Sequence, residues 1–229
     1  MILSKGDAIE RLTEFIHGGI KVDLVLIDPP YEHENHGGGL TRMGNSYNTV
    51  KQNIDFMCDG FDLGVLDLCE QLCRVPNILV FCSNKQIGKL LNWFEHRGLN
   101  TTLLAWQKTN PCPVCNGKYI SDLEFIIYAR RQNAPWNNDA DIKTKYKLKS
   151  YPFVANKIHP AQKPVELLRD LISLHSLPNQ TVLDCYMGSG STGVACAELG
   201  RDFIGVEIDD KYFDIAKERL SLPMVRELF

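Results

Sequence analysis

Long apolar runs are missing from this chain. Nowhere do its 229 residues offer the ~18 to 20 uninterrupted apolar positions of a membrane-spanning helix. The first residues, MILSKGDAIERL, have no basic stretch followed by an apolar one. Both absences predict a cytoplasmic protein with no membrane partner. Internal repeats and low-complexity segments are also missing, which argues against a solenoid or a disordered array. So is a second cysteine pair: Cys112 and Cys115 in CPVC have a metal-like spacing, but a structural zinc site takes four ligands and nothing nearby completes one. No metal is expected. Of the eight cysteines, Cys58, Cys69, Cys73, Cys82 and Cys196 lie among apolar residues, as small buried hydrophobes do, which suits a reducing compartment better than a disulfide framework.

An excess of positive charge is lacking too, since the net charge is -3, but the charge is unevenly spread. Arg130 to Lys163 holds eight Lys or Arg against two Asp, a local +6, so the rest of the chain carries -9. Such asymmetry marks either a surface that meets a polyanion or a solvated loop built around KTKYKLK. With 44% hydrophobic and 23% charged residues the chain has the composition of a globular protein, long enough for one large domain spanning 1–229.

Short runs rich in β-branched residues occur at Val22–Asp28, Asn77–Ser83, Thr101–Gln107, Glu124–Ala129, Thr181–Asp184 and Phe203–Ile208. Helical patterns separate most of them. Asp7 to Gly18 carries Ile9, Leu12, Phe15 and Ile16 at helical spacing, with a capping signature in Asp7 and Glu10 and a stop at Gly18 and Gly19. KPVELLRDLISLHS places Pro164 at a first turn, SGSTGVACAELG stops at Gly200, and DDKYFDIAKERL runs from acidic to basic as the helix dipole favours. The alternation predicts an α/β fold: a mostly parallel, twisted sheet with helices on both faces.

DCYMGSGSTG contains G-x-G-x-x-G at Gly188, Gly190 and Gly193, after a strand and opening a helix, with Glu207 nineteen residues after Gly188 at the end of the next strand. That is a nucleotide-binding unit. Only 36 residues follow Gly193, so the other strands come from the N-terminal part and the order is circularly permuted. The second corner is DPPY, Asp28 to Tyr31, at the end of a strand. Pro29 and Pro30 have no N–H, so the turn offers acceptors, and Asp28 adds a carboxylate. This suits a group with two hydrogens to donate, such as the exocyclic amine of a nucleobase, and Tyr31 supplies a flat face for a base pulled from its stack. Alone, DPPY reads equally as a proline-stiffened strand exit.

With these motifs the chain resembles the permuted, β-class amino-methyltransferases of DNA. The likeness runs through LSKGDAIERL, DPPY, KTNP, EFIIYAR, HPAQKPVELLRDLI, DCYMGSGSTG and FIGVEID, nearly the whole length. It implies a Rossmann-like S-adenosylmethionine-dependent methyltransferase fold, direct methyl transfer without a covalent enzyme intermediate, base flipping, and a bacterial or phage-encoded protein of a restriction-modification system. Asp at the first position of the tetrad accompanies adenine N6 in that family, where Ser accompanies cytosine N4. By the resemblance Asp28, Pro29, Pro30 and Tyr31 are catalytic. Asp184 lies near the methionine amino group, Glu207 at the ribose hydroxyls, Gly188, Ser189 and Gly190 beneath the cofactor, and Tyr186, where the family has Phe, beside the sulfonium. Lys163 would meet the methionine carboxylate, or be a plain surface residue. Asp7 would accept from the cofactor's adenine amine, or only cap a helix.

The family's target-recognition region falls between EFIIYAR and HPAQKP, and here a short basic insertion, 131–158, is all that is available. Its Lys143, Lys145, Lys147 and Lys149 are expected to contact DNA phosphates, which position double-stranded DNA without reading sequence. Residues 32–49 are expected to form a flap over the target base, hinged at Gly37 to Gly39, with Asn45, Tyr47 and Asn48 available for reading. A homodimer and a cognate restriction nuclease are expected partners. The rival readings are a cytosine-N4 enzyme, the same chemistry on RNA or a protein amide, a non-catalytic cofactor-binding subunit, and, on the glycine loop alone, an NAD-dependent enzyme.

Overall fold

The computed structural model describes residues 1–31, 60–113, 117, 119–155, 157–159 and 161–221. The expected flap with its hinge and its reading residues, Cys58 and Cys115 lie outside them. Among the described residues eight strands form one sheet: β1 (Ile2–Lys5), β2 (Leu24–Ile27), β3 (Asn77–Cys82), β4 (Asn100–Lys108), β5 (Leu123–Arg130), β6 (Leu148–Tyr151), β7 (Thr181–Asp184) and β8 (Asp202–Glu207). Their spatial order is β1-β8-β7-β2-β3-β5-β4-β6. All neighbours pair in parallel except β5, which runs against both β3 and β4.

Every residue of β2 and β3 is buried, because helices cover both faces of the sheet. On one face α1 (Ala8–His17), α2 (Gly64–Leu72) and α3 (Ile87–His96) pack Leu12, Leu66 and Phe94 against Val25, Ile27, Ile78 and Val80. On the other, α4 (Val165–His175), α5 (Ser191–Leu199) and α6 (Asp210–Ser221) pack Leu168, Cys196 and Ala216 against Leu24, Leu26, Leu79 and Phe81. Alternate residues of one strand thus belong to different cores. Buried Cys69, Cys73, Cys82 and Cys196 behave as small hydrophobes, joined by Cys185.

The permuted order is present: β7, α5 and β8, the glycine-bearing unit, come last in the chain yet lie in the middle of the sheet beside β2. Strand order reverses between β7 and β2, and β2 pairs with β7 through Leu24↔Val182 and Val25↔Leu183. The carboxyl ends of these two strands, Asp28 and Asp184, therefore open side by side where α/β sheets place their ligands.

Two strands have no counterpart in the sequence reading. β1 extends the sheet beyond β8, and its end brings Gly6 N–H to the Glu207 carbonyl at 3.0 Å, which sets Asp7 on the same rim. β6 lies within 131–158, so part of the expected loop is an edge strand on β4. It has an inverted pattern: Leu148 is 53% exposed, whereas Lys149 is 3% exposed. Among the described residues no helix is long and apolar enough to cross a membrane.

Candidate active site

One cavity of about 480 Å³ opens at the carboxyl ends of the central strands, lined by Asp28 to Tyr31 on one side and by Asp184 to Ser189 and Glu207 on the other. Asp7, Phe61, His159 and Lys163 complete its wall. The two corners picked out in the sequence share a single space.

The Asp-Pro corner is fixed from three sides. The Asp28 Oδ1 accepts from the Tyr31 hydroxyl at 2.9 Å, and Oδ2 accepts from the Lys163 ammonium at 2.6 Å. The Pro30 carbonyl accepts from Gln86 Nε2 at 3.1 Å, while Gln86 Oε1 takes the Ser83 N–H and hydroxyl. The Pro29 carbonyl meets no donor among the described residues. The corner therefore presents one carboxylate and one open carbonyl.

Glu124 joins this group from β5. Because β5 is the one strand that runs backward, its beginning lies at the rim where the others end. Glu124 Oε2 accepts from the Tyr31 hydroxyl at 3.0 Å and Lys163 at 3.2 Å, and Oε1 pairs with Lys108 at 2.9 Å. Two carboxylates and two ammonium groups balance in a largely buried cluster. Burial pushes Glu124 up, but Lys163 and Lys108 outweigh it and hold the carboxyl at about 2. Burial raises Asp28 above the ordinary Asp value, opposed by Lys163, and Glu124 adds to the rise. Burial works against the Lys163 charge, yet the two carboxylates keep it protonated. Burial also raises the Tyr31 hydroxyl, reinforced by Asp28 and Glu124, so Tyr31 remains a donor.

At the glycine corner, Gly188 and Gly190 have φ of +51° and +80°, left-handed values that a side chain resists. Asp184 is buried; its Oδ1 takes the Tyr186 N–H at 3.0 Å and its Oδ2 the Thr192 hydroxyl at 2.6 Å. Burial dominates these bonds and lifts its carboxyl to about 7. Glu207 accepts from Gly188 N–H and Asp209 N–H, each at 2.8 Å, tying the end of β8 to the turn. Burial raises Glu207 as well. Tyr186 meets Phe61 edge-on at 6.1 Å. Ser189 is buried, and its carbonyl and hydroxyl accept from Arg219 at 2.6 and 3.2 Å. Asp7 caps α1 through one oxygen, Oδ1, which accepts from Ile9 and Glu10 N–H, and still lines the cavity. Capping and cavity-facing are thus compatible.

Two expectations change. Lys163 is not a plain surface residue; it is buried and its ammonium is committed to Asp28 and Glu124. Lys149 does not stand with the phosphate-facing lysines. It points inward, donates to the Thr144 carbonyl and lies 3.8 Å from Asp170, because β6 turns it onto the α4 face. Lys143 and Lys147 are exposed, and Lys145 donates to the Asn138 carbonyl at 2.7 Å. The sequence reading missed Glu124, Lys108, Gln86, Phe61 and His159. The signal for Glu124 was a lone carboxylate opening the apolar strand EFIIYAR; Gln86 in NKQIG gives none.

Residues 22–218 match the N6_N4_Mtase family, described as DNA methylase. The chain belongs to this family. Among its relatives is "Type II methyltransferase M2.DpnII" of Streptococcus pneumoniae, 30% identical over 248 residues, covering 96% of this chain and 90% of that protein. Another is "Type II methyltransferase M.HinfI" of Haemophilus influenzae, 27% identical over 247 residues, 94% of this chain and 67% of that protein. The crystal structure of the M1.HpyAVI–SAM complex superposes with a TM-score of 0.73 at 31% identity, covering 96% of this chain and 99% of that one. The PvuII DNA methyltransferase (cytosine-N4-specific) shares the fold, with a TM-score of 0.69 at 16% identity over 97% and 86% of the two chains. The protein is thus a DNA methyltransferase with the expected fold, and S-adenosylmethionine is its methyl donor. This removes the NAD-dependent reading and the non-catalytic one.

Proposed function

We propose that this methyltransferase acts on the N6 amine of an adenine extruded from double-stranded DNA. The observation that carries the reading is the pairing, in one cavity, of an Asp28 carboxylate and an open Pro29 carbonyl with the glycine corner. The adenine amine is a weak nucleophile because its lone pair is delocalised into the ring. Asp28 and the Pro29 carbonyl, each accepting one hydrogen, draw the nitrogen toward a tetrahedral form and localise that pair. Tyr31, its hydroxyl tied to two carboxylates, presents a fixed face for the base. Alignment and electrostatics supply most of the acceleration. As the nitrogen turns cationic, Asp28 is the adjacent acceptor for its surplus proton.

S-adenosylmethionine supplies an electrophilic methyl on a sulfonium, and the residues opposite Asp28 fit it. Asp184, buried and lifted to about 7, has the environment of a carboxylate awaiting an ammonium. Gly188 and Ser189, which line the cavity, would offer close backbone approach; Gly190 lies off the cavity wall, against Ala216 and Leu220, and would only shape the turn. Glu207 would take the ribose hydroxyls, Asp7 the cofactor's adenine amine, and Tyr186 would lie beside the sulfonium. Exposed Lys143 and Lys147, with Lys145, would meet phosphates. By its resemblance to restriction-modification methyltransferases, the chain is read as working beside a cognate nuclease and as a homodimer, the latter testable by analytical ultracentrifugation.

Expression in a methylation-deficient bacterial host, followed by nucleoside analysis of the host DNA, tests the reading. N6-methyladenine is the expected product; N4-methylcytosine, or no modified base, contradicts it.

A further inference from the structure

The Lys163 ammonium has a position that neither a surface residue nor a cofactor ligand requires. It lies 2.6 Å from Asp28 Oδ2 and 3.2 Å from Glu124 Oε2, with the Tyr31 and Phe81 ring centres at 5.2 and 5.0 Å. A cationic N–H donor on the Asp28 carboxylate, beside the Tyr31 ring, makes the contact that the target amine needs. Each Asp28 oxygen already has a donor, so the arriving amine competes with Lys163 and Tyr31 for the carboxylate. A buried pair with no alternative partner is costly to open, because separation strands two charges. Glu124 removes that obstacle: Lys108 holds its Oε1, and its Oε2 is already in contact with Lys163.

We propose that Lys163 and Glu124 are positioning residues for Asp28: the Lys163 ammonium holds the place of the target amine in the resting site and shifts fully onto Glu124 when the amine arrives. This rests on the reading that the amine is bound by Asp28. The exchange keeps the site neutral throughout, with Asp28 paired to its cation at rest and free to accept from the amine once the base is seated. The charged and titratable groups facing Asp28 are Lys163 ahead of α4, Tyr31 after β2, Glu124 of β5, Cys82 at the end of β3, Asp184 at the end of β7, and Lys157. Of these, Lys163 and Glu124 contact each other and the Asp28–Tyr31 pair.

The test uses Lys163→Met, Lys163→Arg and Glu124→Gln in the full chain. Three quantities are measured: the pH profile of single-turnover transfer at saturating S-adenosylmethionine and DNA, calorimetric affinity for S-adenosylmethionine, and titration of the Asp28 carboxyl by carbon-13 NMR, assigned with Asp28→Asn. Loss of a contacting cation disfavours the carboxylate, so Lys163→Met moves the acid limb and the Asp28 midpoint upward by about one to three pH units. Glu124→Gln removes a neighbouring anion and leaves Lys163 wholly on Asp28, so it moves both downward and lowers the plateau. Lys163→Arg leaves the midpoint in place, and cofactor affinity stays within about two-fold in all three. Midpoints that do not move, or that move in the same direction for Lys163→Met and Glu124→Gln, overturn the proposal. So does a loss of cofactor affinity of about tenfold or more in Lys163→Met with the midpoint fixed, which makes Lys163 a cofactor ligand. Should Lys163→Met not fold, the direction of the Glu124→Gln shift decides alone. The NMR titration needs no turnover, so its result stands apart from whether adenine is the base methylated.

Discussion

Asp28 and Asp184 are both buried carboxylates at strand ends, yet their surroundings give them different tasks. Asp28 has a lysine at 2.6 Å and stays an acceptor; Asp184 has only a hydroxyl and an N–H, and its carboxyl sits at about 7. If Asp184 pairs with the methionine ammonium, affinity for S-adenosylmethionine falls as pH drops from 8 to 6, because protonation removes the partner. Isothermal titration across that range checks it, and Asp184→Asn should flatten the dependence at a much weaker affinity. The same residue affects stability. Its folded value lies above the unfolded Asp value of 3.8, so the native state holds a proton that the unfolded chain has released between about pH 4 and 7. Stability from this group is therefore present at acid pH and lost as pH rises through 7. Asp184→Asn should raise the melting temperature of the cofactor-free protein at pH 8 and leave it nearly unchanged at pH 4. At the neighbouring corner, Gln86→Ala removes the clamp on the Pro30 carbonyl and the acceptor of the Ser83 N–H and hydroxyl. A loss of about 1–3 kcal/mol in a denaturant titration is expected, with a lower transfer rate at unchanged cofactor affinity.

At the scale of elements, the sequence reading reached what periodicity encodes. β2, β3, β4, β5, β7 and β8 stand within a residue or two of their expected bounds, and α1 has its Asp7 cap and Gly18 stop. β1 and β6 were not legible for different reasons. β1 is four residues of mixed character at a sheet edge, held by pairing with β8 rather than by its own pattern. β6 has Leu outward and Lys inward, the reverse of the alternation that identifies a strand. Glu124 was hidden for a topological reason: nothing local shows that β5 runs backward and so delivers its first residues to the rim. The glycine turn, by contrast, was legible because its spacing follows from packing. A β-carbon on Gly193 would come within 2.8 Å of Leu220 Cδ1 and Phe203 Cε1, where α5 crosses the sheet. Gly193→Ala should therefore cost about 1–3 kcal/mol of stability and weaken cofactor binding by displacing the turn, seen together in thermal melts with and without S-adenosylmethionine.

Over the whole molecule, the circular permutation leaves the architecture unchanged and alters only which half of the site is made first. The chain completes the Asp-Pro corner early and the glycine corner late, and the β2–β7 pairing places them on one rim. The sequence outside 130–163 carries a net charge of -9 against +6 within it, so DNA should be held at 130–163 mainly through phosphates. Replacing exposed Lys143 and Lys147 with Gln should then reduce the slope of log affinity against log salt by about two, with sequence preference unchanged. The meeting of the two corners is the claim on which the function depends. Its most direct measurement is methyl transfer by purified Asp28→Ala, with products identified by mass spectrometry and S-adenosylmethionine affinity measured on the same sample. The account predicts cofactor binding close to wild type and no detectable N6-methyladenine. Transfer at the wild-type rate, or loss of cofactor binding as the primary effect, would contradict it.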